Sequence, residues 1–174
     1  SYAYHRSLAF QALAKIYEPS FFPILDVAIN RKNEVSKTRW DMLWHLRFLN
    51  DKAFIPSIIK WIKKATVENS YTIKEIIQQF KDPTLIPVIL GYAQRPDHNA
   101  NSKNHLVAML GVLKATEGLD FILNHTGHEF APDVFSDAAC LQALIDMAAP
   151  ELYLEKLNDY KGSCLLYTSP SPRD

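Results

Sequence analysis

Basic and aromatic side chains recur at near-constant spacing along the chain, a pattern typical of a surface that binds a charged partner. Two rows follow intervals of 31 to 34 residues: Ala28, Trp61, Tyr92, His125 and Asp159, and Arg31, Lys64, Arg95 and His128, with Lys60 and Lys63 beside them. An aromatic row next to a basic row suits an acidic peptide with hydrophobic anchors, or a phosphate-bearing chain. The predicted partner-binding residues are Lys60, Trp61, Lys63, Lys64, Tyr92, Arg95, His125 and His128.

A purely structural interpretation of the same residues stays open. Cations in the last turn of a helix interact favourably with its dipole whatever the function. Trp61 also has the size and shape to pack between neighbouring repeats. A functional use of the rows and a structural one are therefore both carried forward.

His125, His128 and Glu129 form the one spacing that resembles a metal site. Residues three apart share a helix face, so two imidazoles and a carboxylate can converge. Gly127 lies between the histidines and favours a helix end there, which separates them. No further ligand stands at a telling distance, and the sequence predicts neither a metal nor any other cofactor.

Catalytic motifs are absent from the sequence. With five glycines the chain contains no glycine-rich phosphate loop, and no serine lies in a nucleophile-elbow context. Cys140 is the one cysteine before residue 164, and its small apolar neighbours predict a buried, inert thiol. We therefore predict a protein that is not an enzyme.

The candidate side chains belong to a repeating pattern of two short amphipathic helices joined by an acidic, proline-containing turn. The pattern is clearest at residues 82–93, where Asp82 and Pro83 precede an apolar helix that starts near Pro87. Aligned on Pro23, Pro56, Pro87, Asp120 and Leu154, the periods are 33, 31, 33 and 34 residues. Proline fits the first turn of a helix because a missing N–H costs nothing there.

A second series supports the same period. Ser36, Ser70, Ser102 and Ser136 precede apolar stripes with helical spacing and are predicted to cap the first helix of each pair. Second helices are predicted at about 22–30 and 53–67. One helix pair cannot bury its apolar stripe alone, so neighbouring pairs must stack around a shared core.

Two phrases carry a resemblance to a known repeat family. They are Ala9-Phe10-Gln11-Ala12-Leu13-Ala14-Lys15-Ile16 with Glu18-Pro19, and Lys81-Asp82-Pro83 with Leu85-Ile86-Pro87. Residues 4–160 resemble short HEAT-like repeats of the phycobilisome-lyase type. The resemblance implies an all-α, right-handed α-solenoid (α-α superhelix) of about five helix pairs, whose second helices line the concave surface. It says little about activity, because unrelated functions use these repeats.

The repeat array is predicted to occupy residues 1–162, in units of about 3–33, 34–68, 69–100, 101–133 and 134–162. Residues 164–174 resemble the in-frame translation of a sequencing adapter, so residues 163–174 are expected to be a disordered, non-native tail. The chain also starts without methionine and inside a helical pattern. A fragment of a longer array is the expectation.

Charge is distributed unevenly despite a formal net charge of zero. Residues 31–64 contain nine Lys/Arg and three Asp/Glu, a net of +6, whereas residues 115–160 contain one Lys and nine Asp/Glu, a net of −8. The leading prediction is a protein-interaction scaffold that binds a partner through its concave surface. A nucleic-acid-binding or DNA-repair protein, and an accessory subunit of a bilin-lyase-type enzyme, are the alternatives.

Overall fold

Every element that the structure describes is helical. A computed structural model describes residues 2–32, 36–49, 51–125, 134–152 and 154–155. These residues form nine α-helices and no strand, so the predicted all-α class is confirmed. The helices are α1 (Tyr2–Lys15), α2 (Phe22–Asn30), α3 (Ser36–His45), α4 (Ile55–Ile62), α5 (Ser70–Phe80), α6 (Ile86–Ala93), α7 (Ala100–Val112), α8 (Leu119–His125) and α9 (Val134–Asp146). The predicted tail at 163–174 lies outside the described residues.

The helices pack in alternation along the chain. α1, α3, α5, α7 and α9 contact one another in succession, and α2 contacts α4, which contacts α6. α8 packs against α7 and α9. One cluster of buried apolar side chains extends from Phe10 in α1 to Leu144 in α9. None of the described helices is both long enough and apolar enough to cross a membrane.

The proline positions begin the second helices as predicted. Pro23, Pro56 and Pro87 stand in the first turns of α2, α4 and α6. α4 is shorter than the predicted 53–67, because residues 52–54 form a 3₁₀ turn before it and the helix ends at Ile62, with residues 63–64 in a turn. The extended backbone of Thr66 then leads into the next unit.

Two aspartates at equivalent places in the second and third units link each unit to the one before it. Asp51 and Asp82 each accept a backbone N–H two residues on, from Ala53 and Thr84, and so cap a 3₁₀ turn. The remaining oxygen of Asp51 accepts the hydroxyl of Tyr17, and that of Asp82 accepts the Lys52 ammonium at 2.9 Å. Hydrogen bonds from Thr84, together with Lys52, lower the pKa of Asp82 to about 2.

Three of the odd-numbered helices, α5, α7 and α9, end in a left-handed conformation that the sequence does not predict. Lys81, Lys114 and Ala148, at the ends of α5, α7 and α9, have φ of 46°, 53° and 58°. Directly after Lys114, the N–H of Ala115 donates to the carbonyl of Leu110 at 3.0 Å, and directly after Ala148, the N–H of Ala149 donates to the carbonyl of Leu144 at 2.8 Å. These left-handed ends satisfy carbonyls that the helix leaves open. The three are 33 and 34 residues apart, which matches the repeat period.

The predicted serine caps are wrong wherever the structure describes the cap. Asn69 is the cap residue of α5, and the Ser70 hydroxyl lies 3.0 Å from Nδ1 of His105. At α7 the side chain of Asn99 is the cap, accepting the N–H of Ser102 at 2.9 Å. The serines recur with one period, but the hydroxyls of Ser70 and Ser102 are buried and bond to neighbouring groups instead. The cap of α3 and the side chain of Ser136 lie outside the described residues.

Cys140 is completely buried, as predicted. Its thiol donates to the carbonyl of Ile122, 3.6 Å away, and so links α9 to α8. The residue thus serves the packing of the fourth and fifth units.

Candidate partner-binding surface

The end of α4 presents a cluster of lysines to solvent. Ile55, Ile58 and Ile62 are buried, and this apolar face fixes the rotation of the helix against the core. Lys60, Lys63 and Lys64 are consequently exposed on the opposite side. None of the three forms an ion pair with any residue in the part of the chain that the structure describes.

Trp61 lies at the centre of this cluster, half-buried and surrounded by cations. The guanidinium of Arg39 stands 4.0 Å from the ring centroid, and the ammonium groups of Lys64 and Lys60 stand at 5.0 and 5.4 Å. The negative face of an indole ring attracts cations at such distances. The ring therefore helps to hold several like charges in one place.

A polar network between α2 and α4 fixes two of the predicted site residues. Oδ1 of Asn30 accepts hydrogen bonds from the Lys60 ammonium at 2.7 Å and from the Trp61 indole N–H at 3.1 Å. Nδ2 of Asn30 donates to the Ser57 hydroxyl at 2.9 Å, and that hydroxyl donates to the Asp26 carboxylate. Lys60 and Trp61 thus have a structural task at the α2–α4 junction.

Arg95 and Tyr92 hold the end of α4 from the next unit. Arg95 donates to the carbonyls of Lys63, at 2.8 Å, and Ala65. Tyr92 is only 2% exposed, its hydroxyl donates to Thr66 O at 2.6 Å, and burial raises its pKa to about 12. Its ring lies in the core and is not accessible to a partner, contrary to its predicted place in an exposed aromatic row. Arg95 closes open carbonyls at a helix end.

Two depressions flank the lysines. Between α4 and α6 lies a cleft of about 260 Å³, and on the α3 side lies a wider groove of about 450 Å³. The cleft is lined by Ile62, Lys63, Pro87, Val88, Gly91, Tyr92 and Arg95. The groove is lined by Ser36, Lys37, Trp40, Asp41, Lys64, Thr66, Glu68 and Asn69. Lys63 borders the first and Lys64 the second.

His125 does not join this surface. His125, at the end of α8, is 7% exposed, and its Nε2 lies 2.9 Å from Oδ1 of Asn104 in α7. His128 lies outside the described residues. Among the described residues no three His, Cys, Asp or Glu side chains lie close enough together to hold a metal ion.

Two residues of the surface were missed from the sequence. Arg39 lies over Trp61 and also donates to the carbonyls of Ile29 at 3.1 Å and Arg31 at 2.8 Å, at the end of α2. Asn30 links the indole and the ammonium across two helices. Arg39 belongs to the basic stretch 31–64, but no local sequence pattern predicted its contact with Trp61 or the hydrogen bonds of Asn30.

Comparison with protein-family models, curated proteins and solved structures produced no match to this chain. Its function is therefore argued from its own residues alone.

Proposed function

We propose that this chain is a non-catalytic interaction scaffold built as a right-handed α-solenoid of HEAT-like helix pairs. The successive contacts of alternate helices and the single extended core support this architecture. Three recurring features support it as well: prolines in the first turn of second helices, aspartates that cap the turns before them, and left-handed ends of first helices, all with about the same period. A regular array of this kind exposes a long surface on which side chains from several units act together.

The partner is an acidic protein segment bound at the lysine cluster that ends α4. The observation that carries this proposal is a concentration of exposed lysines near a fixed indole ring, none of which pairs with a carboxylate of the described residues. Concentrated charge of one sign attracts an oppositely charged partner and raises its association rate. The position of Lys63 and Lys64 at a helix end suits the dipole, but the dipole does not require two exposed ammonium groups beside Trp61.

The composition of the groove on the α3 side favours a protein partner over a nucleic acid. Asp41 and Glu68 line the groove together with Lys37 and Lys64. A phosphate chain would meet these two carboxylates as well as the cations, whereas a protein segment can place a donor opposite each carboxylate. A mixed-charge groove thus suits the varied side chains of a protein.

The test compares two double charge reversals that change the net charge equally. A fluorescent glutamate-rich peptide is titrated at low and at physiological salt against the wild type, Lys63→Glu/Lys64→Glu and Lys81→Glu/Lys114→Glu. The first variant should remain folded and lose at least about tenfold in affinity, since each close charge pair contributes about 1.5 kcal/mol or more. The second should bind as the wild type does, because Lys81 and Lys114 lie at the ends of α5 and α7.

Equal loss in both variants would mean that only net charge matters, and the proposed surface would then be rejected. A single-stranded oligonucleotide that binds tighter than the peptide, with an affinity that falls steeply with salt, would assign the surface to nucleic acid instead.

A further inference from the structure

We infer that the cleft between α4 and α6 is a subsite for one apolar side chain of the acidic segment, with a carboxylate of that segment placed against Lys63. This inference rests on the proposed function and specifies the chemistry of the partner. The motif that it assigns is a single aliphatic or aromatic residue next to acidic residues.

The contrast between two neighbouring junctions explains why the cleft is open. When Pro23, Pro56 and Pro87 are aligned, Asn30 corresponds to Lys63, and Lys60 corresponds to Gly91. At the α2–α4 junction, Asn30 accepts a hydrogen bond from the Lys60 ammonium, and this bond bridges and closes the junction between the two helices. At the α4–α6 junction the corresponding pair is Lys63 and Gly91. Glycine has no side chain to meet Lys63, so a cavity remains and the ammonium has no partner within the described residues.

The lining of the cleft suits an apolar group with negative charge beside it. Ile62, Pro87 and Val88 provide apolar surface, and the cleft is larger than the cavity of about 150 Å³ that holds benzene in an engineered protein core. Lys63 and Arg95 stand at its border. The guanidinium of Arg95 donates to two backbone carbonyls, which hold it in place without neutralising its charge.

Gly91 makes the cleft unusually easy to block. A Cβ atom built at this position meets no atom within 4 Å, so a larger side chain there has room. Glycine is also a poor helix former, and α6 gains stability when it is replaced. A variant that fills the cleft is thus not expected to unfold the protein.

The experiment uses two acidic peptides and three proteins. The peptides share a glutamate-rich sequence and differ at one central position, Leu or Ser. The wild type should bind the Leu peptide about tenfold tighter or more, given the apolar area that a leucine buries. Gly91→Leu should bind the Leu peptide no better than the Ser peptide, while its melting temperature stays at or above that of the wild type. Lys63→Glu should weaken the binding of both peptides.

The outcomes separate this inference from the proposed function. If the wild type binds both peptides equally and Lys63→Glu weakens both, the charged surface is supported and the apolar subsite is rejected. A preference for Leu that persists in Gly91→Leu likewise overturns the subsite. If neither peptide binds even at low salt, the proposed function fails and the subsite fails with it.

Discussion

The crossing of α7 and α9 provides the sharpest test of the packing. Gly111 in α7 is buried, and a Cβ atom added there would lie 2.5 Å from Cα and 2.7 Å from Cβ of Ala143 in α9. Favourable contacts between carbon atoms lie at about 3.5–4.0 Å, so Gly111→Ala forces the two helices apart by about 1 Å. The first of these contacts involves backbone, which no rotamer change relieves.

The size of the effect follows from two opposing terms. Overpacking of this kind costs about 1–3 kcal/mol, and the better helix propensity of alanine returns about 1 kcal/mol, so a net loss of up to about 2 kcal/mol is expected. For a chain of 174 residues each kcal/mol corresponds to about 2–4 °C in melting temperature, which predicts a fall of up to about 8 °C. Calorimetry and urea denaturation measure both quantities.

Gly91→Ala is the matched control, because it makes the same substitution in a helix with open space at the new Cβ. It should stabilise the protein by about 0.5–1 kcal/mol, so the two variants should shift the melting temperature in opposite directions. Ala143→Gly should rescue Gly111→Ala in part, with a coupling energy of at least about 0.5 kcal/mol in a double-mutant cycle. A Gly111→Ala protein that is as stable as Gly91→Ala would refute the close approach of α7 and α9.

Three further predictions concern stability and pH. Burial and nearby Arg47 lower the pKa of His45 in the folded protein. The contribution of neutral His45 to stability is therefore complete above about pH 6.5 and decreases as the pH falls, because the unfolded chain takes up the proton first. His45→Phe should flatten the pH dependence of the urea midpoint in that range. Lys114→Gly should raise the free energy of unfolding by about 1 kcal/mol, since glycine adopts the left-handed conformation at φ of 53° without strain. Urea denaturation measures this change, and destabilisation would contradict the left-handed conformation at the end of α7. Asp82→Ala should cost about 1 kcal/mol at neutral pH through loss of the cap. The variant should also lose less stability than the wild type as the pH falls from 4 towards the Asp82 pKa of about 2. Thermal melting at each pH measures both effects.

Much of the secondary structure could be predicted because it depends on local chemistry. Apolar residues at helical spacing indicated the helices, and Pro23, Pro56 and Pro87 indicated where second helices begin, which the structure confirms. The serine caps could not be predicted in the same way. A hydroxyl near a helix start also bonds to any buried group beside it, and for Ser70 that group is His105 in another unit.

The candidate surface was predicted only in part. The repeat period placed Lys64 in a basic row with Lys60 and Lys63 beside it, and all three side chains are exposed. The same counting placed Tyr92 in an exposed row, although its ring is buried and its hydroxyl bonds to Thr66. Equivalent repeat positions lie at the same place along their helices, but the burial of each side chain depends on the residues that pack against it from neighbouring helices.

The sequence alone determined the helix type, the repeat period and the concentration of positive charge in residues 31–64, because apolar spacing, proline geometry and composition are local properties. Only the tertiary structure decided which polar side chains join neighbouring helix pairs and which stay exposed. That choice depends on contacts between residues about 30 positions apart. Asn30 with Lys60 closes one junction, and Lys63 facing Gly91 leaves the next one open.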